Sequence, residues 1–233
     1  MLDVVIACAG EILMNQNGDV LKIALDHFKR SVEITRDVRF QANLRLAQRQ
    51  RNSNYMVSFL SLYLIAVSLI PNVIKLQPYQ SQILLAISII LSVFVIFTSL
   101  IDGSQNFYHN GELLHQCARK VATVYHELKI IDVDKDRASA EKRLSELQDE
   151  YRRALDDCPI NHENVDFIQE QAYKPHLFPA NYRWGKFPGE RIYKKVLAFA
   201  LTHSWMAIHI LAIVGMSIIV YVYVIRTAMP IAP

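Results

Sequence analysis

Residues 52–101 read NSNYMVSFLSLYLIAVSLIPNVIKLQPYQSQILLAISIILSVFVIFTSLI, and Lys75 is the only charged side chain among them. About 20 apolar residues suffice for an α-helix to cross the hydrocarbon core of a bilayer. The uncharged runs on either side of Lys75 each meet that length, with apolar centres at Tyr55–Ile70 and Ile83–Ile101. Pro71 and Pro78 bracket the lysine and mark a tight turn. The stretch therefore predicts a transmembrane helical hairpin. The competing reading, a buried core helix of a soluble protein, calls for shorter and more amphipathic segments.

A third uncharged run, 196–225, is centred on Trp205–Ile225 and predicts a further transmembrane helix. Glycine is scarce, at 7 residues in 233, and strand-like alternation is absent. The fold class expected is all-α: an integral membrane protein with a transmembrane hairpin, a cytoplasmic coiled-coil-like helical region and a third, C-terminal transmembrane helix. Met1–Ala9 carries Asp3 and no basic flank, so it does not read as a signal peptide.

Charge sets the expected orientation. Arg36, Arg39, Arg45, Arg49 and Arg51 precede the hairpin against a single acid, Asp37, whereas the turn holds one lysine. Basic residues favour the cytoplasmic side. The divisions that follow are a cytoplasmic helical segment (1–54), the hairpin (55–101), a cytoplasmic helical region (102–172), a Pro- and aromatic-rich interfacial linker (173–195), the third span (196–225) and a short external tail (226–233). Asp19 is the expected N-cap of the first helix. Arg45, Arg49, Arg51, Lys194 and Lys195 flank the spans and are expected to meet anionic headgroups, at about 1 kcal/mol each. The expected location is the bacterial inner membrane, multi-pass, with the N-terminus inside and the C-terminus outside.

Asp102-Gly103-Ser104 breaks the second span. Beyond it, Phe107, Leu114, Val121 and Leu128 lie seven apart, interleaved with Cys117, Val124 and Ile131. Ala140, Leu144, Leu147, Tyr151, Ala154 and Cys158 form a second such seam after a break at Asp132–Asp136. Two seams with a short link suit an antiparallel helical pair or a stalk between subunits. The cysteines Cys8, Cys117 and Cys158 show no metal or redox spacing.

No phosphate-binding loop, dinucleotide fingerprint, zinc-protease motif or nucleophile elbow is present. No enzyme activity, cofactor, metal or direct nucleic-acid binding is expected. His109, His115, Cys117 and His126 do not share a helix face, so they read as ordinary histidines and a packed thiol. His162 and Asp166 are four apart, so on a helix the carboxylate would favour the charged imidazole. Within the spans, Ser61 and Ser68, and Ser81, Ser88, Ser92 and Ser99, fall on stripes. Such hydroxyls serve close helix packing or line a water-filled path in an oligomer. His209, deep in the third span, is either interhelical glue or functional.

The order of parts resembles the SLATT family of bacterial conflict systems, whose domains carry two transmembrane helices. The likeness rests on the arginine-rich helix entering Asn54–Tyr55, on Leu114-His-Gln-Cys-Ala118, on Tyr151-Arg-Arg-Ala-Leu155, and on Asn161-His162 followed by Asp166. It covers roughly residues 20–172. The resemblance implies a membrane effector of anti-phage defence, pore-forming or pore-disrupting, that arrests growth or kills the cell. It implies a partner encoded alongside: a nucleotide second messenger and its nucleotidyltransferase, or a reverse transcriptase sensor; the hydroxyl stripes and the seams add the expectation of a homo-oligomer. Tyr151, Asn161, His162 and Asp166 match the family's cytoplasmic motif. A non-conducting scaffold that tethers a sensor is the alternative. The third span departs from a two-span plan.

Overall fold

The computed structural model describes residues 2–178 and 190–222, with side chains described for 20–178, 192–204 and 206–222. Its elements are helices α1 (Leu2–Val73), α2 (Pro78–Ser104), α3 (Phe107–Ile130), α4 (Arg137–Asp156), α5 (Asn164–Tyr173), a short 3-10 turn (Pro175–Leu177) and α6 (Glu190–Val220). No strand occurs among the described residues. Two helices, Val20–Val73 and Pro78–Ile130, contain a stretch long and apolar enough to cross a membrane. A third joins them if the bent pair Ile192–Ser204 and Met206–Val220 is one span.

Local chemistry explains most boundaries. Pro71 sits in the last turn of α1, where its missing N–H and its ring end the helix within two residues. Pro78 opens α2, a position where an N–H would be unpaired anyway. The Gln80 side chain accepts the Gln77 N–H at 2.7 Å and closes a capping box. Asp136 caps α4 by accepting the Ser139 N–H at 3.2 Å.

Two boundaries differ from the sequence reading. The break after the second span lies at Gln105–Asn106, because α2 runs through Asp102-Gly103-Ser104; Asn106 takes φ 50°, a conformation asparagine tolerates better than most. α1 continues through Gly18 and Asp19 to Leu2, so Asp19 is not an N-cap. A single glycine weakens a helix by only about 1 kcal/mol, which need not end one. Much of the expected linker, 179–189, lies outside the described residues.

The chain divides into two compact units. The first combines Met1–Arg45 with His109–Ala198. Its core joins Leu25 and Val32 of α1, Cys117, Val121, Val124 and Leu128 of α3, and Ala140, Leu144, Leu147 and Ala154 of α4. Both expected seams are thus buried within one chain, which accounts for them without a stalk between subunits. Full burial of each leucine or valine contributes about 1.5–3 kcal/mol.

The second unit combines Leu46–Tyr108 with Phe199–Pro233. Val67, Leu84, Ile87 and Val220 are buried together, with Tyr63, Ile83 and Met216 packed around them. Phe59, Leu62 and Ile65 of α1, and Leu85, Ile89, Val93, Ile96 and Phe97 of α2, are more than half exposed. In water such a face would be strongly unfavourable; against lipid tails it is neutral. Composition and exposure together make this unit a membrane body.

Candidate functional site

The first unit carries a cluster of charges where an ordinary core would be apolar. It begins with α1. Leu25, Val32, Arg39, Leu46, Ser53, Leu60 and Val67 recur every seven residues, and all are buried. Arg39 therefore occupies a core position, and Val38, Ala42 and Arg45 are buried beside it.

α5 supplies the main partner. Glu163 precedes its first turn, and Asp166, three residues on, accepts the Glu163 N–H at 2.9 Å to complete a capping box. That geometry turns the Asp166 carboxylate inward, where its side chain is 0% exposed. Arg45 donates to it twice, from Nε at 2.7 Å and from Nη2 at 3.1 Å, and also meets Glu163 at 3.0 Å. Burial works against the Arg45 charge, but the bonds and charge of Asp166 outweigh it and its pKa is raised.

A second group lies one turn C-terminal on α5. Asp37 takes Arg36 Nε at 2.8 Å and Lys174 Nζ at 2.6 Å. Lys174 also reaches the buried Glu170 at 3.3 Å. Burial lowers the Lys174 pKa, but its hydrogen bond to Asp37 and the charges of both carboxylates raise it on balance.

The resemblance-derived motif residues sit around the same face of α1. Tyr151 bonds Thr35 Oγ1 at 2.8 Å and sets its ring edge-on to Phe28. The Thr35 hydroxyl donates to the Ser31 carbonyl at 2.9 Å, so Tyr151 is the donor in their bond. Asn161 is exposed, and its Oδ1 accepts the His162 N–H at 2.9 Å.

His162 corrects the expectation drawn from its spacing. It lies before α5 rather than on it, and its buried Nδ1 has no hydrogen-bond partner. Desolvation and then the Arg39 charge lower its pKa, against a smaller pull from Asp166. The neutral imidazole is favoured, because the Asp166 carboxylate is already engaged by Arg45.

The basic residues assigned to headgroups separate into two sets. Arg45 and Lys194 are buried, the first by Asp166 and the second donating to Gln171 Oε1 at 3.2 Å, so neither faces lipid. Arg49 lies over the Phe107 ring at 4.5 Å and Lys195 over Tyr173 at 5.0 Å. Arg51 is exposed. Arg39, Asp37, Glu170 and Lys174 were missed. An arginine seven residues from Val32 and from Leu46 was the available signal.

In the membrane body the hydroxyls mostly bond their own helix. Ser61 donates to Val57 O, Ser68 to Ile65 O and Ser92 to Ser88 O, each at 2.7–2.8 Å. Ser81, Ser88 and Ser92 are half-buried beside the buried stripe Leu84, Ile87 and Leu91, and Ser99 is exposed. His209 is buried, its ring 5.9 Å from Phe94. Two polar links here had no sequence signal: Ser53 donates to Asp102, and Tyr63 pairs with Ser217 at 2.9 Å.

Long apolar helices with outward-facing side chains, joined in sequence to a charge-cored helical bundle, define the class: an all-helical membrane protein. The chain belongs to SMODS and SLOG-associating 2TM effector domain family 5, whose family model matches residues 21–227. That match runs through α6, while the family's name counts two transmembrane helices. No curated protein and no solved structure matches the chain.

Proposed function

We propose that this protein is an anti-phage effector of the bacterial inner membrane, which oligomerises and opens or disrupts a pore on activation, arresting growth or killing the cell. The N-terminus and the charge-cored bundle lie in the cytoplasm, α1, α2 and α6 cross the bilayer, and the C-terminus is outside. One observation carries the pore reading. Ser81, Ser88 and Ser92 form a stripe on α2 that is only half covered by the chain's own helices. A second copy packed there would either complete a dry interface or leave a hydroxyl-lined path. Arg51 and Lys195 remain the residues suited to anionic headgroups.

The trigger acts on the bundle: a nucleotide second messenger, or a sensor protein such as a nucleotidyltransferase or reverse transcriptase encoded alongside. α1 carries the buried Arg39 and Arg45 and runs on in sequence to Val73, so the charge cluster and the first span belong to one chain segment. The test is dye-reported membrane potential in bacteria after induction, with Ser88→Leu/Ser92→Leu as the comparison. Depolarisation by wild type that the double variant loses supports a path lined by α2. Depolarisation by both moves the lining to α1 or α6. Unchanged potential with partner and trigger co-expressed refutes the pore and favours a non-conducting scaffold that tethers the sensor.

A further inference from the structure

Cys117 and Cys158 are 41 positions apart, on α3 and just past α4, with nothing in their spacing to pair them. The fold brings them together. Cys117 is buried in the core of the first unit, and Cys158 packs against that same core four residues beyond Ala154. Cys117 Sγ donates to Ala154 O at 3.4 Å, so α3 meets the last turn of α4 through this sulfur. Cys158 N bonds Leu155 O at 3.1 Å, so the backbone is still turning at the end of α4 where it reaches Cys158. Lys120 and Asp157, at 2.7 Å, tie the two segments again one step outward. We infer that Cys117 and Cys158 are a redox couple, a modification site that closes to an intramolecular disulfide under peroxide and alters the link presenting Glu163 and Asp166 to Arg45.

The chemistry balances with peroxide as the oxidant. Cys158 is half-buried and reachable; its sulfur attacks the O–O bond, giving a sulfenic acid and one water. Cys117 then displaces the hydroxyl, forming the S–S bond, and its proton leaves with that oxygen as a second water. Cys117 suits this second role. Burial, opposed by Arg39, pushes its thiol up to about 11, so alone it resists oxidation. The Arg39 guanidinium that donates to Cys117 Sγ stabilises the thiolate as the proton departs.

The modification reaches the charge cluster through the chain. Reduced Cys158 donates its S–H to Ile160 O at 3.0 Å, holding the link that runs to His162 and Glu163. A disulfide has no S–H, so that bond is lost, and Arg39 loses its thiol partner at once. The inference does not rest on the pore reading.

The test uses the full chain in detergent micelles with Cys8→Ser, leaving two thiols. After hydrogen peroxide, the protein is denatured, alkylated and analysed by mass. The expected result is simultaneous loss of both alkylation sites, a cross-linked 117–158 peptide pair lighter by two hydrogens, and full recovery with dithiothreitol. Amide exchange of 160–166 should then rise several-fold in the oxidised protein. Over-oxidised Cys158 beside an alkylatable Cys117, a disulfide between chains, or two untouched thiols each overturns the couple. A disulfide that leaves exchange at 160–166 unchanged overturns the regulatory half. Cys117→Ser, which removes the resolving thiol, should leave Cys158 as irreversible higher oxides.

Discussion

Asp166→Ala should be among the most damaging single changes outside the apolar cores. The carboxylate is fully buried, accepts two bonds from Arg45 and one from the Glu163 N–H, and helps to close the α5 capping box. Removing one partner of a buried pair strands the other charge, at about 3–5 kcal/mol. Glu163 stays at 3.0 Å from Arg45, but it is 61% exposed and screened by water, so it recovers only part. The low end applies, about 3 kcal/mol, or a fall of about 6–12 °C in Tm for a chain of this size. The assay is thermal unfolding of the full chain in detergent by circular dichroism, in a cycle with Arg45→Met and the double variant. If the pair is the interaction, the double variant is markedly more stable than the summed single losses imply. A loss below about 1 kcal/mol for Asp166→Ala, or additive singles, would refute the assignment.

The remaining predictions concern neighbouring contacts. His162 has its pKa lowered in the fold, so the unfolded chain binds more protons as pH drops; stability should be flat above about pH 6.5, decline below it, and decline less in His162→Gln, read by Tm against pH. Lys174→Met leaves Asp37 and Glu170 without their shared cation, and should lower stability by about 1–3 kcal/mol in the same unfolding assay. Tyr151→Phe should lower it by only about 0.5–1.5 kcal/mol, and Tyr151→Phe/Thr35→Val by little more, because one bond is lost in both. In the membrane body, Ser53→Ala removes the partner of Asp102 and should weaken thermal resistance by about 1–3 kcal/mol, whereas Ser68→Ala, exposed and bonded to its own helix, should change it negligibly.

The apolar half of the fold was legible because a bilayer imposes long uncharged runs, and no other environment does. Residues 52–101 announced two helices before any packing was known. The seams at Phe107–Leu128 and Ala140–Ala154 were equally plain, since heptad spacing and burial coincide there. The charge cluster was half legible. Asp166 and Tyr151 came from a resemblance, but their partners on α1 did not, because pairs separated by 121 and 116 positions leave no local pattern. Arginines before a span suggest headgroups by default, and that rule assigned Arg45 outward although its register with Val38 and Ala42 faces the core. His162 misled for a related reason. Spacing of four implies a shared helix face only if both residues are helical, and the capping box starts the helix at Asn164, two residues too late. That Cys117 and Cys158 share one core was invisible because the α3–α4 turn, not the sequence interval, brings their segments together.

A buried ion pair is a poor device for stability, since apolar side chains of similar size would hold α5 on α1 as well or better. What it changes is the shape of the alternatives. An apolar contact loosens by degrees as area is exposed. The Arg45–Asp166 pair cannot, because any intermediate leaves a guanidinium or a carboxylate desolvated and unmatched. Docking of α5 is therefore close to all-or-none, and it is set by residues on the helix that continues into the membrane. The neutral His162, the Lys174 bridge and the Cys117 thiol beside Arg39 all lie near that same face, so protonation, a competing anion or oxidation would each press on one equilibrium. An Arg45→Met/Asp166→Leu variant separates the two roles: it should fold at least as stably as wild type, yet respond to no trigger that works by parting the pair. If it still responded normally, the switch would lie elsewhere, and the membrane body with its half-covered serine stripe would be the place to look.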